Sequence, residues 1–144
     1  RIGRIFNTYG NPMRPHDGRA VSNFIVQALQ GHDITIYGDG SQTRSFTYVG
    51  DVVRATIAAM EAGRGTYNVG GGEEATMLET IAILEGLAGH SLEIHQSAVV
   101  AGDQRRSCAD TSLIERDLGW APTTTLRDGL AAQWEWAAAR VAAR

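Results

Sequence analysis

The chain has 144 residues, a formal net charge of −3 at pH 7 and a single cysteine, Cys108. That length suffices for one domain with a real core, and the charge balance excludes the basic face of a nucleic-acid-binding surface. No apolar run approaches the ~18 residues of a membrane span, and a lone cysteine makes no internal disulfide, which fits a soluble protein of the cytoplasm.

Ile2 to Phe6 read as a β-branched strand closed by Asn7-Thr8-Tyr9-Gly10. Residues 11 to 19, with two prolines and a glycine, read as a loop. Val21, Phe24, Ile25, Ala28 and Leu29 fall at i, i+3, i+4, i+7 and i+8, the spacing of an amphipathic helix, with Gly31 to end it. Ile34 to Tyr37 form the next strand, which enters a Gly38-Asp39-Gly40 turn. A short polar and aromatic stretch then presents Arg44, and Asp51 opens a helix expected to bury Val53, Ile57 and Met60. One arginine framed by aromatics and glycines suits bidentate capture of a phosphate beside a stacking ring; the bland alternative is a hairpin with a solvated arginine.

Thr66 to Val69 form a strand running into Gly70-Gly71-Gly72, and Met77, Ile81, Leu84 and Ala88 mark a helix ended by Gly89. Leu92 to His95 alternate as a strand with Leu92 and Ile94 on one side. Asp110 or Ser112 caps a short helix carrying Leu113, Ile114 and Leu118, and Ser112-x-x-Glu115 has capping-box spacing. The last helix starts at Thr125-x-x-Asp128 and carries Leu126, Leu130, Trp134, Ala137 and Val141 as its stripe. Strands interleaved with helices make the chain α/β, without a separable second domain.

The four histidines (16, 32, 90, 95) lack metal-ligand spacing, and no metal site is expected. Cys108 reads as a small buried residue and the tryptophans as packing. All 13 basic residues other than histidine are arginines, so a catalytic lysine is excluded from this chain. It opens inside a strand pattern and without methionine, as expected of the later part of something longer.

One motif is recognisable as a whole. Residues 37 to 55, Y-G-x-G-x-Q-x-R-x-F-x-Y-V-x-D-x-x-R-A, resemble the signature of the extended short-chain dehydrogenase/reductase superfamily, whose NAD-dependent members are nucleotide-sugar epimerases, 4,6-dehydratases and UDP-glucuronate decarboxylases. Residues 4 to 10 resemble the family's R-x-F-N-x-[YF]-G strand, Tyr67-Asn68-Val69-Gly70 its Y-N-[VI]-G, and Leu118-Gly119-Trp120-Ala121-Pro122 its L-G-[WY]-x-P. Residues 17 to 25, with Ser45 where most relatives have Asp, are similar to the decarboxylases, whereas Gly102-Asp103-Gln104-Arg105-Arg106-Ser107 resembles the 4-epimerases. Departures are Asn11 before Pro12, Val100-Ala101 in place of Arg-Pro, and the absence of both the glycine-rich dinucleotide fingerprint and the Tyr-x-x-x-Lys pair.

The resemblance implies the C-terminal portion of an extended Rossmann-type enzyme: residues 1–144 as the substrate-binding part, with 1–10 a strand of the missing sheet. It implies oxidation of a nucleotide sugar to a 4-keto intermediate, with NAD held mainly outside this chain and no catalytic residue within it. Arg44 and Arg105 would clamp the diphosphate of a UDP- or dTDP-sugar, with Arg106 able to replace Arg105. Asn7, Val21, Ser22, Asn23, Phe24 and Tyr37 would complete the substrate site, Tyr37 near the base. Thr8 and Arg19 would lie by the nicotinamide. The full-length enzyme would be a homodimer. A non-catalytic nucleotide-sugar-binding module is the alternative.

Overall fold

The structure, a computed structural model, describes residues 1–13 and 18–142, and the side chains up to residue 141. His16, one of the four histidines, and Asp17, the first residue of the decarboxylase-like segment, lie outside the described residues.

The architecture is α/β, as the mixture of patterns predicts. Strand β1 (Ile2–Ile5) pairs in parallel with β5 (Thr66–Val69), Ile2 opposite Thr66 and Ile5 opposite Val69. Strand β3 (Ile34–Tyr37) pairs in parallel with β7 (Ile94–Ser97). The third sheet is built on β4 (Thr43–Tyr48): β2 (Thr8–Tyr9) and β8 (Arg106–Ser107) join it in parallel, and β6 (Glu73–Thr76) joins it antiparallel. Five helices complete the described chain: α1 (Ala20–Leu29), α2 (Val49–Glu61), α3 (Met77–Ala88), α4 (Ser112–Leu118) and α5 (Leu126–Ala142). None is long and apolar enough to cross a membrane.

Two apolar clusters hold these elements. The larger joins α1, α3 and α5 to β3 and β4 through Phe24, Ile25, Ile34, Ile36, Phe46, Ile81, Leu84, Leu126 and Leu130. The smaller joins α2, β5 and α4 through Val52, Ala55, Tyr67, Val69, Ile114 and Trp120. Helix α3 is fixed at both ends: Thr76 accepts from the Glu79 backbone while Glu79 reaches back to Thr76, and Gly89 takes the left-handed conformation at the other end.

Several expectations are corrected. Thr8 and Tyr9 extend into a strand because β4 runs beside them. The polar stretch before α2 is itself strand β4, whose Ser45 and Thr47 are buried against β6 and its neighbours. Helix α2 starts at Val49 and not Asp51, and it buries Val52, Ala55 and Ala59, while Val53, Ile57 and Met60 are each at least half exposed. Val52, Ala55 and Ala59 share the face turned to the smaller cluster, one residue away from the stripe that the spacing suggested. Strand β7 begins at Ile94, which is exposed, whereas Leu92 is buried before it.

At α4 the cap is Thr111 without a side-chain cap bond, and Asp110 instead accepts the Ser112 N–H at 3.0 Å, so the Ser112–Glu115 box does not form. Thr125 and Asp128 do bond reciprocally at the start of α5, its Thr Oγ1 accepting the Asp128 N–H at 3.1 Å. Val141, expected on the buried stripe, is exposed. Cys108 is exposed rather than buried. Trp120 is core, but it also carries a hydrogen bond, Nε1–H to the Asp51 carbonyl.

Candidate functional site

The site forms where the β3–β4 turn meets the chain between β7 and β8. Gly38 and Gly40 have φ of 79° and 78°. Gly40 also approaches α3 so closely that a Cβ there would meet Leu78 Cγ at 2.8 Å, so this turn requires glycine. Beyond it, Asp39 folds an Asx turn, accepting from the Ser41 N–H at 3.0 Å and its hydroxyl at 2.6 Å. Those bonds, with the nearby Arg105 guanidinium, hold the Asp39 carboxyl below its ordinary range. Gln42 returns toward β3 and donates to the Tyr37 carbonyl at 2.9 Å.

Arg44 then points from β4 toward this corner with its side chain only 18% exposed. Its Nη1 donates to the carbonyls of Thr43 at 2.8 Å and Gln104 at 2.7 Å, and Nη2 donates to Asp103 Oδ1 at 2.7 Å. Around it lie two adjoining cavities. One, of about 300 Å³, is lined by Asn23, Phe24, Tyr37, Gln42, Arg44 and Asp103 among others. The other, of about 320 Å³, shares Tyr37, Gln42 and Asp103 and adds Asp39, Gln104 and Arg105. The structure therefore brings Arg44, Arg105, Tyr37, Asn23 and Phe24 to one place.

On the far side of Arg44 is a hollow of about 180 Å³ lined by Asn7, Thr8, Arg19, Val21, Arg44 and Phe46. Arg19 Nη1 donates to the Thr8 carbonyl at 3.0 Å, so the two residues are adjacent. Asn7 has φ of +32°, a left-handed conformation uncommon outside glycine, and its amide donates to Ser107 Oγ at 3.2 Å. Arg44 and Ala20 line both the hollow with Thr8 and Arg19 and the cavity with Tyr37, and of the two only Arg44 is charged.

Other candidates are placed differently. Ser22 is buried and its hydroxyl is turned onto Met13 Sδ, away from these cavities. Tyr37 is half exposed at the end of β3. Arg106 is committed elsewhere: it forks onto Glu74 at 2.7 and 2.8 Å, and Thr43 adds a third bond at 2.6 Å. Those bonds, first Arg106 and then Thr43, bring the Glu74 carboxyl down to about 2. Arg106 is thus paired with Glu74 in this arrangement, whereas Arg105 lines the cavity beside Tyr37. Among the described residues no group of three His, Cys, Asp or Glu is arranged to hold a metal.

Three contributors escaped the sequence reading. Asp103 and Gln42 contact the arginine and tyrosine that were singled out, and Ser107 meets Asn7 across 100 residues of sequence. The signal for Asp103 was its position after Gly102, a positive-φ turn that returns the chain to β4.

Residues 1–70 match the family model described as the NAD dependent epimerase/dehydratase family. Over that stretch the chain is similar to the family. It is 44% identical over 131 residues to UDP-glucuronic acid decarboxylase 1 of Arabidopsis thaliana, covering 90% of this chain and 30% of that protein. UDP-glucuronic acid decarboxylase 1 of Danio rerio is 41% identical over the same length, with 31% of it covered. Among solved structures, UDP-glucuronic acid 4-epimerase from Bacillus cereus in complex with UDP-glucuronic acid and NAD superposes with a TM-score of 0.88 at 37% identity, covering 94% of this chain and 44% of that one. UDP-glucose 4-epimerase from Thermotoga maritima gives 0.89 at 32% identity, covering 99% and 46%. The chain spans about a third of the length of these curated relatives, and under half of the structural ones.

Proposed function

We propose that this chain supplies the nucleotide-sugar side of the site in an NAD-dependent sugar-nucleotide enzyme of the epimerase, dehydratase and decarboxylase group, acting through a 4-keto sugar. The observation that carries the reading is the position of Arg44, mostly buried and shared by the Tyr37 cavity and the Thr8–Arg19 hollow. A guanidinium in that position meets two phosphates with forked, pH-independent donors.

In this reading Arg44 and Arg105 take the diphosphate of a UDP- or dTDP-sugar. Tyr37 offers its exposed ring to the base, and Asn23 with Phe24 lines the opposite wall. Asn7 and Val21 border the sugar. Thr8 and Arg19 hold the nicotinamide end of NAD, and the hollow beside Arg44 fits a group adjacent to the ligand. When bound, NAD supplies a reversible hydride acceptor. The glycine-rich fingerprint and the Tyr-x-x-x-Lys pair are not in this sequence, so the reading assigns the dinucleotide cradle and the proton transfer to residues of a longer chain.

The same reading makes residues 1–144 a substrate-binding part and residues 1–10 a strand of a larger parallel sheet. Support comes from β1, which pairs on one edge among the described residues and leaves Ile2 and Ile5 exposed, as Val53, Ile57 and Met60 of α2 also are. The names of the decarboxylase relatives and of the Bacillus cereus epimerase share UDP-glucuronic acid, which is the ligand to test first. Calorimetric titration of the intact gene product with UDP-glucuronate is expected to give saturable binding that Arg44→Ala weakens about tenfold or more. Unchanged binding in Arg44→Ala overturns the proposal. Turnover of the bound sugar with NAD separates an enzyme from a binding module.

A further inference from the structure

Arg44 has five N–H donors, and three are already engaged. Both hydrogens of Nη1 go to backbone carbonyls, of Thr43 and Gln104, and one of Nη2 goes to Asp103 Oδ1. What remains is the edge formed by Nε–H and the second Nη2–H, one of the two ways a guanidinium forks onto an oxyanion. The partners on the used edge are not scattered. Asp103 and Gln104 are consecutive, and the next residue is Arg105, whose carbonyl accepts the Thr43 N–H at 2.8 Å.

The ion pair fixes which edge of Arg44 is offered and ties Asp103, two residues before Arg105, to β4, while the Thr43–Arg105 backbone bond holds the same segment at the residue before Arg44. Asp103 also lies in the wall between the two arginine-lined cavities. Its own backbone N–H donates to the Val100 carbonyl at 3.1 Å, which closes the turn that delivers it.

We infer that Asp103 is a positioning residue for anion capture: its carboxylate orients the Arg44 guanidinium and sets the spacing between Arg44 and Arg105. The inference rests on the diphosphate reading above and adds the residue that makes two arginines one receptor. Asp103 itself touches no phosphate in this arrangement. Its role is to present the two cations together, because a guanidinium on a long flexible stem loses rotamer freedom on binding unless it is already held.

The test compares Asp103→Ala with Asp103→Asn in the intact gene product, using UDP, uridine and inorganic pyrophosphate as probes. Asp103→Ala is expected to weaken UDP and pyrophosphate binding about five- to tenfold, with uridine affinity unchanged within about twofold. Asp103→Asn keeps an oxygen acceptor at the same place and is expected to recover to within about threefold of the parent. Loss of uridine affinity together with UDP, or no recovery in Asp103→Asn, marks a general structural role and overturns the inference. So does an Asp103→Ala protein that binds UDP and pyrophosphate as well as the parent or better. If the parent protein binds pyrophosphate but not UDP, the nucleotide reading fails, and the pyrophosphate series still decides on Asp103. If it binds neither, both fail.

Discussion

The indole of Trp120 donates its Nε1–H to the backbone carbonyl of Asp51 at 3.1 Å, joining residues 69 apart in sequence. The Asp51 carboxylate is buried beneath it and accepts the backbone N–H groups of Thr124 at 3.0 Å and Thr123 at 3.3 Å, with Arg54 as its ion-pair partner. One residue in the first turn of α2 thus fixes the chain that leads into α5. Replacing it leaves two backbone donors and the Arg54 charge without their acceptor. Asp51→Ala is expected to lower stability by about 2–4 kcal/mol, measured as a shift in urea midpoint, and Asp51→Asn by less because one oxygen remains.

Helix α5 contains Gly129, over which the Tyr9 hydroxyl sits. A Cβ at that position would lie 2.1 Å from Tyr9 Oη and 2.9 Å from Tyr48 Cδ2. Alanine ordinarily favours a helix over glycine by about 1 kcal/mol. Here the clash reverses the sign, and Gly129→Ala is expected to cost about 1–3 kcal/mol in thermal melts. Gly86 of α3 has nothing within 4 Å of its Cβ position. Gly86→Ala is expected to raise stability by up to about 1 kcal/mol, as the contrasting control.

Two groups set opposite ends of the pH-stability curve. The Glu74 carboxyl titrates at about 2 in the folded chain, below its ordinary value, so its contribution is present above the ordinary carboxylate range and is lost as pH falls toward 2. Tyr9 is shifted the other way, up, by burial first and then by the charges of Glu73 and Asp51. Its contribution is full below about pH 10 and declines as pH rises beyond that. Denaturant midpoints across pH are expected to fall less steeply on the acid side in Glu74→Gln, and less steeply on the alkaline side in Tyr9→Phe. Parent-like slopes in either variant refute the corresponding assignment.

The outward face of α2 gives a separate test of how residues 1–10 are used. In the 144-residue chain Ile57 is half exposed, and Ile57→Glu is expected to change stability by no more than about 0.5 kcal/mol. In the intact gene product, a larger parallel sheet with its covering layers would bury that face. The same substitution is then expected to cost about 2 kcal/mol or more. Equal small effects in both proteins would argue that α2 keeps its apolar face in water.

What could be read from the sequence followed from how local the cause was. Helices α1 and α3 were legible because Phe24, Ile25, Ile81 and Leu84 repeat at helical spacing and face one cluster. Helix α2 misled because size and burial run against each other there: alanines 55 and 59 pack inward and Ile57 points out. Strand β4 has no apolar alternation to betray it, since its buried positions include Ser45 and Thr47. Strands β6 and β8 exist because β4 pairs with them, which no short window contains. At the site, Arg44, Arg105 and Tyr37 stood out as residue types, whereas Asp103 acts through a partner 59 positions away. The hydroxyl of Ser45, buried without a hydrogen-bond partner among the described residues, was legible as a family difference but its unmet bond was not.

The two longer parallel pairings, β1 with β5 and β3 with β7, have a consequence for how the molecule comes to exist. Ile2 waits for Thr66, and Ile34 waits for Ile94, so each small sheet closes a loop of roughly 60 residues before any ladder bond forms. At translation rates of about 5–20 residues per second, β1 stands without its partner for roughly 3–13 s on the ribosome. Through that interval the edge of β1 that pairs with β5 is open to chaperones or to other nascent chains.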